Sequence, residues 1–255
     1  MAVHPPVLVA PDAFGGDLRA PVVAAAIARG LERAGVTPLP ELCPVSSGGR
    51  GTIEALLPAL GGETGDGYAL IEDGGTAIVE LGASAETTAE RLAGAAATGA
   101  AVVLLAAAGA EASTEHAAAL LEALRAHGGL GAAALVVLCD VREPGALAAH
   151  LRDAGAARLV AGAPFALEAL GFDARMRAAR AVVVGEERLE RATLRGRVVG
   201  EIATRARQSG VPCHAVARTD AIDRFDARIL DLQAILEGGT VAELEVAGEA
   251  LAACL

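Results

Sequence analysis

Three acids in this chain stand where packing gives little reason for an acid. Asp12, Asp140 and Glu186 each lie at the end of a short apolar run, and hydroxyls, arginines or glycines follow within a few residues. The densest such segment is Val182 to Gly200, V-V-V-G-E-E-R-L-E-R-A-T-L-R-G-R-V-V-G, in which the run stops at Gly185 and Glu186 and is followed by Glu190, Thr193 and Arg197. Carboxylates and hydroxyls so placed can move protons or bind a hydroxylated ligand. A second segment, P-V-S-S-G-G-R-G-T from Pro44 to Thr52, leads into a helical pattern. Amides of a glycine-rich turn at a helix N-terminus can cradle an anion, which makes Ser47, Gly48, Gly49, Arg50, Gly51 and Thr52 a candidate phosphate or carboxylate site. The same glycines could serve only to permit a tight bend. Asp12 in P-D-A-F-G-G-D, and Asp140 in C-D-V-R-E-P-G, each have two uses open, in a ligand site or as the cap of a turn or helix. In the stretch Ala106–His116, Ser113 reads as a helix N-cap, in preference to a catalytic role for Glu111 or His116.

These segments need elements to hold them. Apolar runs predict strands at Pro6–Ala10, Leu39–Cys43, Ala101–Leu105, Leu135–Cys139, Ala181–Val184 and Pro212–Val216. Several lack alternation, as expected when helices cover both faces of a parallel sheet. Helical periodicity predicts Ala20–Ala34, Thr52–Leu60, Glu86–Ala97, Ser113–His127, Ala146–Ala154, Gly200–Ser209 and Val241–Ala252. Strand and helix in alternation indicate a doubly wound α/β fold around one mainly parallel, Rossmann-like sheet. Ligands bind such sheets outside the carboxyl ends of the strands, which is where the acids and the glycine turn fall. One stretch departs from the alternation: Tyr68–Ile71 and Thr76–Leu81 flank Glu72-Asp73-Gly74-Gly75, a hairpin pattern. The expected organisation is a discontinuous α/β domain, 1–60 and 86–255, carrying a small β-rich flap at 61–85.

Composition bounds the function. With 53% hydrophobic residues the chain can bury a sizeable core, and a net charge of −11 argues against nucleic acid or an anionic membrane as partner. No apolar run is long enough to span a bilayer, and the start M-A-V-H-P-P lacks the basic region of a signal peptide. A cytoplasmic protein is expected. Every basic residue other than histidine is arginine. Cys43, Cys139, Cys213 and Cys254 show no C-x-x-C spacing, and they are expected to be small buried hydrophobes. The first strand is not followed by G-x-G-x-x-G, which argues against a dinucleotide-dependent dehydrogenase.

The same segments carry a resemblance. Val182–Gly200 resembles the G-E-G-x-L-D-x-Q-T-x-x-G-K stretch of the ATP-dependent glycerate kinases. Gly185, Glu186, Leu189, Thr193 and Gly196 coincide, Glu190 and Arg197 keep the charge, and Glu187 replaces a glycine. Ala10–Gly15 is similar to A-P-D-S-F-K, with Ala13 at the serine and Gly15 at the lysine. Ser47–Thr52 resembles D-G-G-E-G-T, with Ser47 at the aspartate and Arg50 at the glutamate. Cys139–Pro144 resembles C-D-V-x-N-P. The chain is thus similar to that family as a shortened and divergent member, with 61–85 as the remnant of a second domain. The resemblance implies phosphorylation of a glycerate-like carboxylate with ATP and Mg²⁺. It implies catalytic roles for Asp12, Asp140 and Glu186, and substrate or phosphate binding by Ser47–Thr52, Thr193 and Arg197. Lysine and carboxylates are replaced at Gly15, Ser47 and Arg50, so weak or undetectable phosphorylation of glycerate is expected. The alternative is an inactive member that binds a small anion, a carboxylate or a protein partner.

Overall fold

A computed structural model describes residues 4–15, 18–71 and 74–255. Its elements begin with β1 (Val7–Pro11), α1 (Ala20–Arg33), β2 (Glu41–Leu42), α2 (Thr52–Leu60), β3 (Glu63–Thr64), β4 (Tyr68–Ile71), β5 (Thr76–Glu80), α3 (Ala85–Ala97), β6 (Val102–Ala106), α4 (Thr114–Ala126) and β7 (Ala134–Cys139). They continue with α5 (Ala146–Asp153), β8 (Arg158–Ala161), α6 (Gly162–Ala169), α7 (Phe172–Ala178), β9 (Ala181–Leu189), α8 (Val198–Ser209), β10 (Cys213–Asp220), α9 (Arg224–Leu230), β11 (Leu232–Glu237) and α10 (Val241–Leu251).

The α/β alternation expected from the sequence is present, but it builds two sheets. Unit 1 comprises Met1–Val45 and Leu167–Leu255, and unit 2 comprises Ser46–Ala166. The sheet of unit 1 is parallel throughout, in the order β11-β10-β9-β1-β2. Val7, Val9, Val183 and Val216 face a core shared with Val23, Ile27 and Leu31 of α1 and Leu244 and Leu251 of α10. The alternate residues Leu8, Ala10, Val182, Val184 and Ala215 are also fully buried, and α8 packs against β9 and β10. Burial of both faces explains the unbroken apolar runs.

Unit 2 carries the order β3-β4-β5-β6-β7-β8, parallel from β5 to β8 and antiparallel from β3 to β5. Leu92 of α3, Leu120 of α4 and Leu147 and Leu151 of α5 close over Val103, Leu105, Leu135 and Val137.

The expected boundary between a flap at 61–85 and a domain at 1–60 and 86–255 therefore differs from the observed units. The hairpin β4–β5 exists, but Thr76 of β5 aligns in parallel with Val102 of β6. The hairpin is the edge of a sheet that runs on to β8, and residues 86–166 belong with it. Period and burial identify strands, whereas neighbours are fixed by long-range pairing that no local pattern encodes. Glu72 and Asp73 of the expected turn lie outside the described residues, as do Met1–Val3 and Gly16–Asp17. The run at Leu39–Cys43 yields only the two-residue β2, whereas β9 and β10 run past their expected ends. Among the described residues no helix is long and apolar enough to cross a membrane.

Candidate functional site

In unit 1 the chain moves from β1 to β2 on one side, then from β9 through β10 to β11 on the other. The strand order thus reverses between β1 and β9, and a crevice at such a switch point is where open α/β sheets bind ligands. Pro11 ends β1 opposite Gly185 of β9. The next residues on the two chains are Asp12 and Glu186, and the Asp12 amide donates to the Gly185 carbonyl at 2.9 Å. Asp12 Oδ1 accepts from the Ala13 amide at 2.7 Å, so this carboxylate also shapes the turn leaving β1.

Glu186 is held from its own strand and from the 3-10 turn Arg191–Arg195 that follows β9. The Thr193 hydroxyl, fully buried, accepts from the Glu190 amide at 3.2 Å and donates to Glu186 Oε2 at 2.9 Å. A hydroxyl has one proton, and acceptance from an amide commits it to the carboxylate. Oε1 receives Arg197 Nη1 at 3.4 Å, and Arg197 Nη2 pairs with Glu190 Oε1 at 3.2 Å. The Glu186 side chain is only 13% exposed. Burial pushes its carboxyl up to about 7, against the opposing pull of Thr193 and Arg197, and the charge of Asp12 adds to the rise. A group that titrates near neutrality can both accept and return a proton at working pH.

One residue beside this crevice, Arg218, escapes the motif reading, and it stands with Gly15 and Glu187, which the motifs include. Gly15 has φ +66°, and a Cβ built on it would lie 2.8 Å from Glu187 Oε1. Glu187 therefore fills the space that a side chain at position 15 would need. Arg218 on β10 donates from Nη2 to the Phe14 carbonyl at 3.1 Å, and its Nε lies 3.9 Å from Glu187 Oε1. The sequence signal for Arg218 was its place after an apolar run, obscured because β10 continues beyond Val216 to Asp220.

In unit 2 the turn Ser46–Thr52 lies against the carboxyl ends of the parallel strands. A Cβ on Gly48 (φ +87°) would meet Gly162 Cα at 2.7 Å and Leu138 Cβ at 2.9 Å, and a Cβ on Gly49 would run into the Ala108 carbonyl oxygen. These glycines thus have a packing reason as well as a ligand reason. Thr52 Oγ1 donates to the Gly49 carbonyl at 2.5 Å, so the Ser46 hydroxyl, 2.9 Å away, must donate to Thr52 while accepting from the Gly48 amide at 3.1 Å. The amides of Ser47, Gly49, Arg50 and Gly51 make no hydrogen bond among the described residues. Glu80, at the end of β5, accepts from the Ile53 amide at 3.0 Å. A carboxylate of the chain therefore already stands at the N-terminus of α2, a feature the sequence did not announce.

Asp140 Oδ1 accepts from the amides of Arg142 at 2.9 Å and Glu143 at 3.4 Å, which is the turn-capping use of this residue. Ser113 caps α4 by accepting from the His116 amide at 3.2 Å. Of the residues singled out from sequence, unit 1 gathers Asp12, Glu186, Thr193 and Arg197, while Ser47–Thr52 and Asp140 stand at the strand ends of unit 2. No cluster of three His, Cys, Asp or Glu side chains able to hold a metal occurs among the described residues. Cys43, Cys139 and Cys213 are buried as expected, whereas Cys254 is exposed.

A model of the glycerate kinase family matches residues 7–85 and 82–243. No curated protein matches the chain. Among solved structures, the crystal structure of a protein provisionally called glycerate kinase 2, from Salmonella typhimurium LT2, is similar with a TM-score of 0.72. That likeness covers 98% of each chain at 17% identity, and it is a likeness of fold.

Proposed function

Because this chain belongs to the glycerate kinase family, we propose that it transfers a phosphoryl group from ATP to a small hydroxy-carboxylate of the glycerate kind. The observation that supports this reading best is Glu186, buried beside Asp12 at the switch point and poised near neutrality. Phosphoryl transfer asks a protein mainly for positioning and charge neutralisation. In the proposed reaction the substrate hydroxyl oxygen bonds to the terminal phosphorus of ATP, the bond from that phosphorus to ADP breaks, and the hydroxyl proton passes to Glu186. Arg197 and Thr193 hold the carboxylate for that transfer. Asp12 is the further unit 1 group assigned to ligand binding, while in unit 2 the open amides of Ser47, Gly49, Arg50 and Gly51 form a separate candidate anion cradle and Asp140 keeps its turn.

Among the described residues no cluster of three carboxylates occurs, so Mg²⁺ would be held as a companion of the nucleotide phosphates, with one or two carboxylates such as Asp12. When bound, the ion neutralises phosphate charge. The protein as proposed works in the cytoplasm on a free metabolite.

A second reading rests on Ser47 and Arg50, which stand where the resemblance places carboxylates. Arg50 reverses a charge there and suits an anion better than a cation. In this reading the protein binds the carboxylate or a phosphate without transferring anything. A coupled ADP-release assay, run beside calorimetric titration with D-glycerate, decides between the two. Slow, glycerate-dependent ADP release that rises with pH through about 7 and is lost in Glu186→Gln supports transfer. Binding without ADP release supports the second reading, and the absence of both defeats the two together.

A further inference from the structure

We propose that Arg218 is the oxyanion-binding residue of the unit 1 crevice, with Glu187 as the internal anion that holds its place until a ligand carboxylate or phosphate arrives. This rests on the functional reading above. Arg218 extends from β10 one strand away from the β1–β9 switch point, opposite Glu187 on β9, since Ala217 pairs with Glu186 and Thr219 with Arg188. Side chains alternate along a strand, so Glu186 and Asp12 lie on one side of the crevice while Glu187 and Arg218 lie on the other. A ligand spanning the strand ends would meet an acid on its first side and a guanidinium on its second.

The local geometry restrains Arg218 without saturating it. A guanidinium carries five N–H donors, and among the described residues Arg218 uses one of them, from Nη2 to the Phe14 carbonyl at 3.1 Å. Its stem packs near Gly239, where a Cβ would lie 2.9 Å from Cγ. That contact and the Phe14 bond fix the head at the mouth of β1. The ion pair with Glu187 is loose at 3.9 Å, and its two side chains are 39% and 49% exposed. Such pairs contribute little, so a ligand oxyanion can displace Glu187 from the guanidinium. Glu243, whose acidity Arg218 helps to raise, is engaged instead with the Gly239 and Thr240 amides.

Glu187 and Gly15 are coupled by the same argument. Position 15 is a glycine at φ +66° whose Cβ would press on the flexible carboxylate end of Glu187, so this turn supplies no positive charge to that side of the crevice. Arg218 is the residue positioned to supply it.

The test is calorimetric titration of the full chain and of Arg218→Ala, Arg218→Lys and Glu187→Gln with D-glycerate and, separately, with inorganic phosphate. Circular dichroism melts confirm that each variant is folded. Loss of a charge-assisted hydrogen bond should weaken binding roughly ten- to hundredfold in Arg218→Ala, with partial recovery in Arg218→Lys. Glu187→Gln should tighten binding several-fold by removing the competitor, a gain that a purely structural role for the pair would not produce. The two ligands show whether a carboxylate or a phosphate is the oxyanion held. Folded Arg218→Ala that binds both ligands as the natural chain does, or Glu187→Gln that binds more weakly, overturns the assignment while leaving the functional reading intact. A natural chain that binds neither ligand overturns both.

Discussion

Replacing Glu186 with glutamine removes a buried charge while nearly keeping the shape of the crevice, so it isolates what that charge does. The carboxyl moves from an ordinary 4.5 to about 7, chiefly through burial. At about 1.36 kcal/mol for each tenfold change in acidity, the difference corresponds to about 3 kcal/mol between the two protonation states. The folded chain holds this proton more tightly than the unfolded chain does. The associated stability is therefore whole below pH 4.5 and is lost as pH rises through about 7. Glutamine has no such dependence. The stability of the natural protein minus that of Glu186→Gln should then decline by about 3 kcal/mol between pH 4 and pH 8. The chain has no tryptophan, so urea unfolding is best followed by circular dichroism, with both proteins measured at each pH so that other titrating groups cancel. Thr193→Val, which deletes the donor to Oε2, should shift the midpoint of that decline upward. Parallel curves for the natural protein and Glu186→Gln would show that burial does not perturb this carboxyl, and the argument for Glu186 as a base would fall with it.

Three further outcomes follow from the packing. Gly49→Ala places a methyl against the Ala108 carbonyl oxygen, and it should lower the stability of the chain by about 1–3 kcal/mol in urea; an unchanged midpoint would mean that the turn has room for a ligand to remodel it. Burial pushes the thiols of Cys43 and Cys213 up to about 11 and about 12 and raises that of Cys139, so a thiol reagent at mildly alkaline pH should label Cys254 alone until the chain is unfolded. His214 is buried with neither ring nitrogen partnered among the described residues. Burial holds its pKa below the ordinary 6.5, so stability should fall as pH drops below that value, and His214→Leu should flatten the loss. A loss that persists unchanged in His214→Leu would place the acid sensitivity elsewhere.

The elements with strong apolar patterns were readable from the sequence because the forces that make them are local. Val7–Ala10, Leu135–Cys139 and Val182–Val184 announce buried strands, and Ser113 announces its helix by a cap. The edge strand β11, half exposed along its length, has no such run and falls outside the predicted strands. The split into two sheets was hidden for another reason: nothing near Thr76 says that its partner is Val102 rather than a strand of the other unit. Within the site, Glu186 stood out because an acid interrupts an apolar run. Its partner Thr193 was visible by spacing and resemblance. Glu80 and Arg218 were not, since each acts on a backbone group distant in sequence, the Ile53 amide and the Phe14 carbonyl, and such contacts exist only once the chain has folded.

The two sheets also differ in when they can be completed. In unit 2 every strand pairs with the strand next to it in sequence, from β3 to β8, so the sheet can grow in the order of synthesis. In unit 1, β1 finds β2 at once, but its other neighbour is β9, where Val7 aligns with Ala181. The first apolar strand of the protein must therefore keep one edge open while all of unit 2 is made, and an open apolar edge is a site for mispairing. A ribosome pausing after unit 2 would carry a finished sheet beside a two-stranded fragment of the other. The switch-point crevice, where Asp12 follows β1 beside Glu186 of β9, comes into being only when β9 closes that edge. Chain topology thus places assembly of the candidate catalytic pair late in folding.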